Sequence, residues 1–173
     1  VEYTRLLAPL HGFKDCVRTF QAEGGRGANV TLPFKLEAWQ MATQRSERAE
    51  QAQAVNTLRF DGAEIFGDNT DGAGLTRDVE QNLGLAISGK RVLLLGAGGA
   101  ARGVLLPLIQ CGPSALVIAN RTFAKAQELA QHFSRWGDCA ARPYAELGGG
   151  AFDLVINATS ASVAGALPRS EEH

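Results

Sequence analysis

Hydrophobic and polar residues follow one another along the chain in patterns that predict both helices and strands. Apolar residues recur at helical spacing over residues 13–20, and Gly24-Gly25 marks the end of that helix. Unbroken apolar runs at 92–95 and 116–119 are instead typical of strands buried on both faces of a parallel sheet. The pattern therefore predicts a mixed α/β protein.

The first half of the chain is predicted to form an α/β region that ends in a hairpin. Two short apolar runs flank Asp61-Gly62, and an Asp-Gly pair in that setting is a strong hairpin signal. Pro33 suits the first turn of a helix, because it lacks the N–H that a helix start leaves unpaired. The predicted elements are a strand at 2–7, a helix at 13–23, a strand at 27–32, helices at 34–42 and 44–53, and hairpin strands at 54–60 and 63–67.

The second half alternates strands with helices, which is the pattern of a doubly wound parallel sheet of the Rossmann type. The predicted elements are strands at 91–95, 116–119, 138–142 and 152–158 and helices at 99–110 and 122–133. Pro107 is expected to kink the first of these helices or to be absorbed near its end, and Thr122 to cap the second. A linking helix at 74–83 and a loop at 84–90 separate this domain from residues 1–73.

A glycine-rich turn joins the strand at 91–95 to the helix that follows. Gly96, Gly98 and Ala101 fit the G-x-G-x-x-G/A fingerprint, in which the first glycine turns the chain, the second admits a pyrophosphate and the third packs helix on strand. Backbone N–H groups at the start of the helix then face an anion. A plain strand-to-helix turn is the simpler alternative, but the flanking strands favour a dinucleotide site. Its expected ligands are Gly96, Ala97, Gly98, Gly99 and Ala100.

The end of the next strand indicates which dinucleotide is bound. Dinucleotide-binding units often place Asp or Glu about 20 residues past the glycines for the ribose of NAD, whereas Arg there accommodates the 2′-phosphate of NADP. This chain has Asn120, Arg121 and Thr122 at that place, and Lys125 follows one turn later. We therefore expect NADP as the cofactor. The other cofactor-binding residues expected at this edge of the sheet are Asn157, Ala158 and Thr159.

Two polar features in the first half carry candidate chemistry. Lys35 falls in the first turn of a predicted helix, where the helix dipole favours acids. A solvated surface lysine is the simpler interpretation, but the misfit favours a functional role. Residues 68–72 are dense in carboxylate and amide groups, which predicts a polar turn with Thr70 or Asp71 capping the next helix. A metal is the alternative, but the calcium-loop pattern is not met, so we expect none.

Composition narrows the functional classes. The 173 residues are 45% hydrophobic with a formal net charge of −1, which gives no electrostatic footprint for nucleic acid. No apolar run reaches the roughly 18 residues of a membrane helix, and residues 1–5 do not begin a signal peptide. Cys16, Cys111 and Cys139 are widely spaced, so we expect reduced, mostly buried thiols of a cytoplasmic protein. We expect a monomer or homodimer that binds small molecules, with neither nucleic acid nor membrane as a partner.

Six segments of the chain, in this order, resemble those of the shikimate dehydrogenase family, NADP-dependent enzymes that reduce 3-dehydroshikimate to shikimate. The segments are 27–35, 54–57, 67–72, 96–103, 120–122 and 157–160. The resemblance implies a catalytic pair at Lys35 and Asp71, with Lys35 as the proton carrier and Asp71 orienting it. It also implies substrate ligands at Asn29, Thr31, Lys35, Asn56 and Asp71 and a clamp on the 2′-phosphate at Asn120, Arg121 and Thr122.

The same resemblance suggests what part of an enzyme the chain represents. The family has a serine-rich segment near its N-terminus, a C-terminal helical part, and usually a glycine where this chain reads Ala161-Ser162. Since the chain matches neither end and begins without Met, we expect it to be the middle of such an enzyme. Residues 1–73 are then the substrate-binding domain and residues 91–173 the NADP-binding domain, both truncated.

Two alternative functions stay open. One is an NAD-using quinate or shikimate dehydrogenase, against which Asn120-Arg121 argues because no acid is available for a ribose diol. The other is a relative that binds the cofactor without turnover. Lys35 and Asp71 argue against it, because a protein that only binds needs neither.

Overall fold

The computed structural model describes residues 2–148 and 151–159. The chain divides into two compact units, Val1–Thr70 and Asp71–His173. This division falls before the helix that the sequence predicts as a link, so that helix belongs to the second unit.

The first unit packs three helices against a four-stranded sheet. Its helices are α1 (Phe13–Ala22), α2 (Lys35–Met41) and α3 (Glu47–Ala52), and its strands are β1 (Gly27–Asn29), β2 (Gln44–Arg45), β3 (Thr57–Asp61) and β4 (Glu64–Asp68). The strand order is β1-β3-β4-β2, with β3 antiparallel to both neighbours and β2 parallel to β4. The predicted hairpin around Asp61-Gly62 is therefore confirmed. Its core includes Phe13, Val17, Ala38, Ala49, Val55 and Leu58.

Four predictions for the first unit are wrong in detail. Residues 2–8 form no regular secondary structure, and Leu7 is 98% exposed, so no strand ladder holds this segment in a strand. The predicted helix at 44–53 begins only at Glu47, because Gln44–Arg45 pairs with β4 and Ser46 caps the helix by accepting a bond from the N–H of Ala49. The strand at 27–32 ends at Asn29, and Pro33 lies two residues before α2.

The second unit is a parallel sheet with helices between its strands. It contains α4 (Asp71–Arg77), which continues as a π-helical turn (Asp78–Asn82), then β5 (Arg91–Leu95), α5 (Gly99–Gln110), β6 (Ala115–Ala119), α6 (Phe123–Phe133), β7 (Ala140–Ala141), a 3₁₀ turn (Tyr144–Glu146) and β8 (Leu154–Asn157). The strand order is β7-β6-β5-β8, all parallel. In chain order this is 3-2-1-4, the order in which a dinucleotide-binding sheet begins, so the predicted Rossmann-like fold is confirmed.

The core of the second unit lies where helices α5 and α6 cover strands β5 and β6. Leu94, Leu105, Ile118, Leu129 and Phe133 are completely buried there. Helix α4 packs tightly on α5, since a Cβ added to Gly72 would lie 2.5 Å from the carbonyl oxygen of Gly103. None of the helices in the described part of the chain is both long enough and apolar enough to cross a membrane.

Local predictions for the second unit hold with three corrections. Pro107 is absorbed in the last turn of α5, as one of its two predicted outcomes requires. Thr122 does precede α6, but its side chain makes no capping hydrogen bond. The third strand shrinks to two residues. Finally, Cys111 and Cys139, like Cys16 in the first unit, are free, as expected, but partly exposed rather than buried.

Candidate active site

Polar side chains gather in the first unit where three strands begin or end. Asn29 ends β1 and pairs with Thr57, which opens β3 and also lies opposite Asp68 at the end of β4. The Asn29 amide donates to the Thr57 hydroxyl at 3.4 Å, and that hydroxyl donates to Oδ1 of Asn56 at 2.9 Å. Antiparallel register therefore places two predicted substrate ligands, Asn29 and Asn56, in one hydrogen-bonded row. Tyr3 extends the row by donating to Oδ1 of Asn29 at 2.9 Å.

The Asn56 amide is oriented by Thr70. Its Oδ1 accepts from the Thr70 N–H at 3.0 Å, and its Nδ2 donates to the Thr70 hydroxyl at 3.0 Å. Such paired bonds assign both ends of the amide without ambiguity. Thr70, which the sequence offered with Asp71 as a candidate helix cap, lies just before α4 and fixes Asn56.

Lys35 is the first residue of α2 and is only 9% exposed. Its carbonyl oxygen accepts from the N–H of Val55 at 2.9 Å, which joins the start of α2 to the segment leading into Asn56. The stacked rings of Phe13 and Phe34, with centroids 4.9 Å apart, hold the same end of the helix. A buried lysine is rare because removing the ammonium from water is costly. The solvated surface lysine considered from the sequence is therefore not what the structure contains.

Thr31 and Asp71 complete the set of predicted substrate-binding and catalytic residues. Thr31 is exposed, and its carbonyl oxygen accepts from the N–H of Phe34 in the turn before α2. Asp71 is half-buried and begins α4 in the second unit. Asn69 is 2% exposed and, with Lys35, makes up the buried polar residues of the described chain; its amide donates to the Ala54 carbonyl at 3.0 Å.

Sequence reasoning missed the partners of Asp68. Arg48 donates to both carboxylate oxygens of Asp68, through Nε at 2.7 Å and through a terminal nitrogen, and the Ser46 hydroxyl donates at 2.5 Å. These bonds, led by that of Arg48, lower the pKa of Asp68 from 3.8 to about 2. The carboxylate that the sequence offered as a metal ligand therefore holds α3 to the end of β4. The parallel pairing of Arg45 with Gly67 brings Ser46 and Asp68 together, and no local pattern signals it.

Asp68→Asn is expected to lower the free energy of unfolding at neutral pH by about 1 kcal/mol, less than the full pKa shift implies because solvent screens the pair. Since the pKa of Asp68 is lower in the folded state, this stability is present above pH ~4 and is lost as the pH falls through ~2. Urea denaturation from pH 7 to pH 2 measures it. The exposed Asp61→Asn is the control, and a wild-type advantage that persists undiminished at pH 2 would contradict the assignment.

In the second unit, parallel register brings three loops to one edge of the sheet. Leu95 pairs with Ala119 on one side and with Asn157 on the other. The carboxyl ends of β5, β6 and β8 therefore lie level. The predicted cofactor-binding segments that leave this edge are 96–100, 120–122 and 157–159.

The glycine-rich turn has one crowded glycine and one open one. Gly96 has φ +110°, and a Cβ there would lie 2.8 Å from the carbonyl oxygen of Ala158, so only glycine fits between β5 and β8. A Cβ on Gly98 would meet no atom within 4 Å, and the Gly98 carbonyl oxygen accepts the N–H of Arg102 at the start of α5. Ala101 is fully buried against the core. The turn thus offers an open space in front of a helix N-terminus, which is what a pyrophosphate requires.

The two other loops frame this space. The Asn120 amide donates to the Thr122 carbonyl at 2.9 Å, which closes the turn that carries the exposed Arg121. Lys125 is exposed on the first turn of α6. On the other side, Oδ1 of Asn157 accepts from the N–H and the hydroxyl of Thr159, at 3.0 and 2.7 Å. Two cations thus face solvent beyond β6, where the sequence predicts a 2′-phosphate; Ser160 to Ser162 lie outside the described residues.

Comparison with known proteins adds an independent finding. Residues 1–58 match the family described as the shikimate dehydrogenase substrate binding domain, and residues 77–165 match shikimate / quinate 5-dehydrogenase. A shikimate dehydrogenase (NADP(+)) of Hahella chejuensis is 54% identical over 168 residues, which cover 97% of this chain and 62% of the relative. The chain therefore spans about three fifths of that relative's length.

Solved structures agree with this result. An Ael1 enzyme from Pseudomonas putida superposes with a TM-score of 0.81 at 50% identity, over 94% of this chain and 60% of its own. Shikimate 5-dehydrogenase from Thermus thermophilus, solved with NADP(H) and shikimate, gives a TM-score of 0.74 at 31% identity, over 88% of this chain and 55% of its own. Sequence motifs, fold and both comparisons lead to one conclusion: the chain belongs to the shikimate dehydrogenase family.

Proposed function

We propose that the protein carrying this chain is an NADP-dependent oxidoreductase that interconverts 3-dehydroshikimate and shikimate. The observation that carries the proposal is a buried lysine, Lys35, in the same unit as a row of amide and hydroxyl groups. The relatives' names support it, since the Hahella protein is named for NADP(+) and the Thermus structure holds NADP(H) and shikimate.

The residues of the first unit suit a small ring that carries several hydroxyl groups. Asn29, Thr31 and Asn56 hydrogen-bond the ring hydroxyls, and a ring that lacks one of these hydroxyls binds less tightly because it makes fewer of these bonds. Lys35 Nζ holds the proton that moves on or off the reacting oxygen, and Asp71 orients Lys35. Bound NADP supplies or accepts a hydride at its nicotinamide ring.

In the second unit, three loops bind different parts of the cofactor. Backbone groups of the turn at 96–100 face the pyrophosphate, in front of the open Gly98. Arg121 pairs with the 2′-phosphate, with Asn120 and Thr122 beside it and Lys125 as a second charge. The loop at 157–159, at the end of β8, forms the side of the cofactor site next to the glycine-rich turn.

Thiol chemistry favours the cytoplasm as the place of action. Partial burial raises the pKa of Cys111 and of Cys139, so both thiols stay protonated at neutral pH. Three free cysteines suit a reducing compartment.

The test is a rate assay on the complete natural protein that contains these residues. Shikimate and quinate are each offered with NADP⁺ and with NAD⁺, and formation of reduced cofactor is followed by absorbance. We expect shikimate with NADP⁺ to give the highest kcat/KM. A higher value with NAD⁺ favours the quinate or shikimate dehydrogenase alternative, and NADP binding without turnover favours a non-catalytic relative.

The two glycines of the turn separate folding from cofactor binding. Gly98→Ala is expected to leave the melting temperature within about 2 °C of wild type but to weaken NADP at least ~10-fold, because its Cβ enters the open space. Gly96→Ala is the matched contrast and should cost about 1–3 kcal/mol of stability, because its Cβ meets the Ala158 backbone. Thermal melts and cofactor titration measure both. Unchanged NADP affinity in Gly98→Ala would show that the turn only connects β5 to α5.

A further inference from the structure

The three residues before Asp71 are each fixed by hydrogen bonds within the first unit. Asp68 is bound by Arg48 and Ser46, and its Oδ1 also accepts from the N–H of Asn69 at 2.8 Å. The buried Asn69 amide donates to Ala54, and Thr70 exchanges two bonds with Asn56. The backbone path into Asp71 is therefore set residue by residue.

The ion pair between Arg48 and Asp68 is better oriented than a typical pair on a protein surface. Its side chain is 47% exposed, but that of Asp68 is only 19% exposed, and the guanidinium meets the carboxylate through two parallel bonds. Two-bond arginine–carboxylate pairs fix direction as well as distance. On the same helix, the side chain of Glu50 is 58% exposed and meets Arg45 at 3.4 Å, which is long for a hydrogen bond.

We propose that Arg48, acting through Asp68, is a positioning residue for Asp71, an inference that rests on the proposed role of Asp71 in the reaction. Arg48 touches neither substrate nor cofactor in this scheme. It holds the Asp68–Thr70 turn, and that turn orients the Asn56 amide and sets the backbone that leads into Asp71. Displacement of a reacting group by about 1 Å is enough to slow an enzyme by roughly 10²-fold.

A double-mutant cycle on the complete natural protein tests the proposal. The variants are Arg48→Met, Asp71→Asn and the pair, assayed with shikimate and NADP⁺ well below their melting temperatures. Arg48→Met is expected to lower kcat roughly 10-fold in the wild-type background and less than ~2-fold when Asp71 is already Asn, because nothing remains to be positioned. Glu50→Gln, which loosens the neighbouring pair instead, should keep wild-type kcat.

The other possible results of the double-mutant cycle distinguish a failure of the positioning role from a failure of the proposed function. An equal loss from Arg48→Met in both backgrounds, or no loss in either, overturns the positioning role while the proposed function stands. Wild-type kcat in Asp71→Asn overturns the assignment of Asp71 and this inference with it. If circular dichroism shows that Arg48→Met does not fold, Arg48→Lys takes its place. It keeps the charge but not the two parallel bonds, so the same non-additive loss is expected.

Discussion

Lys35→Ala is expected to lower kcat by at least ~10²-fold while KM for shikimate changes little, the usual scale for a lost general acid or base. The proton on the reacting oxygen then has no carrier, whereas the hydroxyl contacts of Asn29, Thr31 and Asn56 persist. Because Lys35 is 9% exposed, its removal also leaves a small cavity. Lys35→Met keeps most of the buried side-chain stem, so it separates the loss of the proton carrier from the loss of packing.

The measurement is steady-state kinetics on the complete natural protein, with thermal melts to show that each variant is folded at the assay temperature. Lys14→Ala, which removes an exposed lysine of α1, is the matched control and should keep wild-type rates. If kcat in Lys35→Met stays within a few-fold of wild type, Lys35 is not the proton carrier.

Arg121→Ala is expected to weaken NADP by roughly 10- to 150-fold and to leave NAD nearly unchanged. A charge-assisted hydrogen bond to a phosphate contributes about 1.5–3 kcal/mol. NAD lacks the 2′-phosphate and never makes this bond, so its affinity does not depend on Arg121. The exposed position of Arg121, at the turn after β6, leaves the core untouched by the change. Affinity should therefore fall without loss of stability.

Titration of both cofactors against wild type and Arg121→Ala, at low and moderate salt, makes the comparison. Arg135→Ala removes the same charge beyond the opposite end of α6, where its guanidinium lies over Trp136, and serves as the control. Equal weakening of NADP and NAD, or a wild type that prefers NAD, would show that Arg121 does not read the 2′-phosphate.

The second unit was predictable because its signals are local. Strands buried on both faces appear as unbroken apolar runs, and α5 was predicted with the bounds that the structure has, Gly99–Gln110. Residues 2–7 show where such signals fail. The sequence predicts a strand there, but a strand also needs a partner, which no local pattern can supply.

Long-range pairing explains what was missed at the site. Ser46 looks like an interior residue of a polar helix until β2 pairs with β4, and only that register reveals its role as a cap and as a partner of Asp68. Arg48 lies 20 residues from Asp68, so nothing in the sequence marks the pair. For Lys35, its position in the first turn was predictable, whereas its burial depends on tertiary packing that no local pattern shows.

Transfer of deuterium tests the central claim most directly. The complete natural protein is given shikimate that carries deuterium at C3, the carbon whose hydroxyl is oxidised, together with equal concentrations of NADP⁺ and NAD⁺. Mass spectrometry of the reduced cofactors should find NADPH one mass unit heavier, with little labelled NADH. Label found mainly in NADH, or in neither cofactor although the protein is folded, would contradict the account.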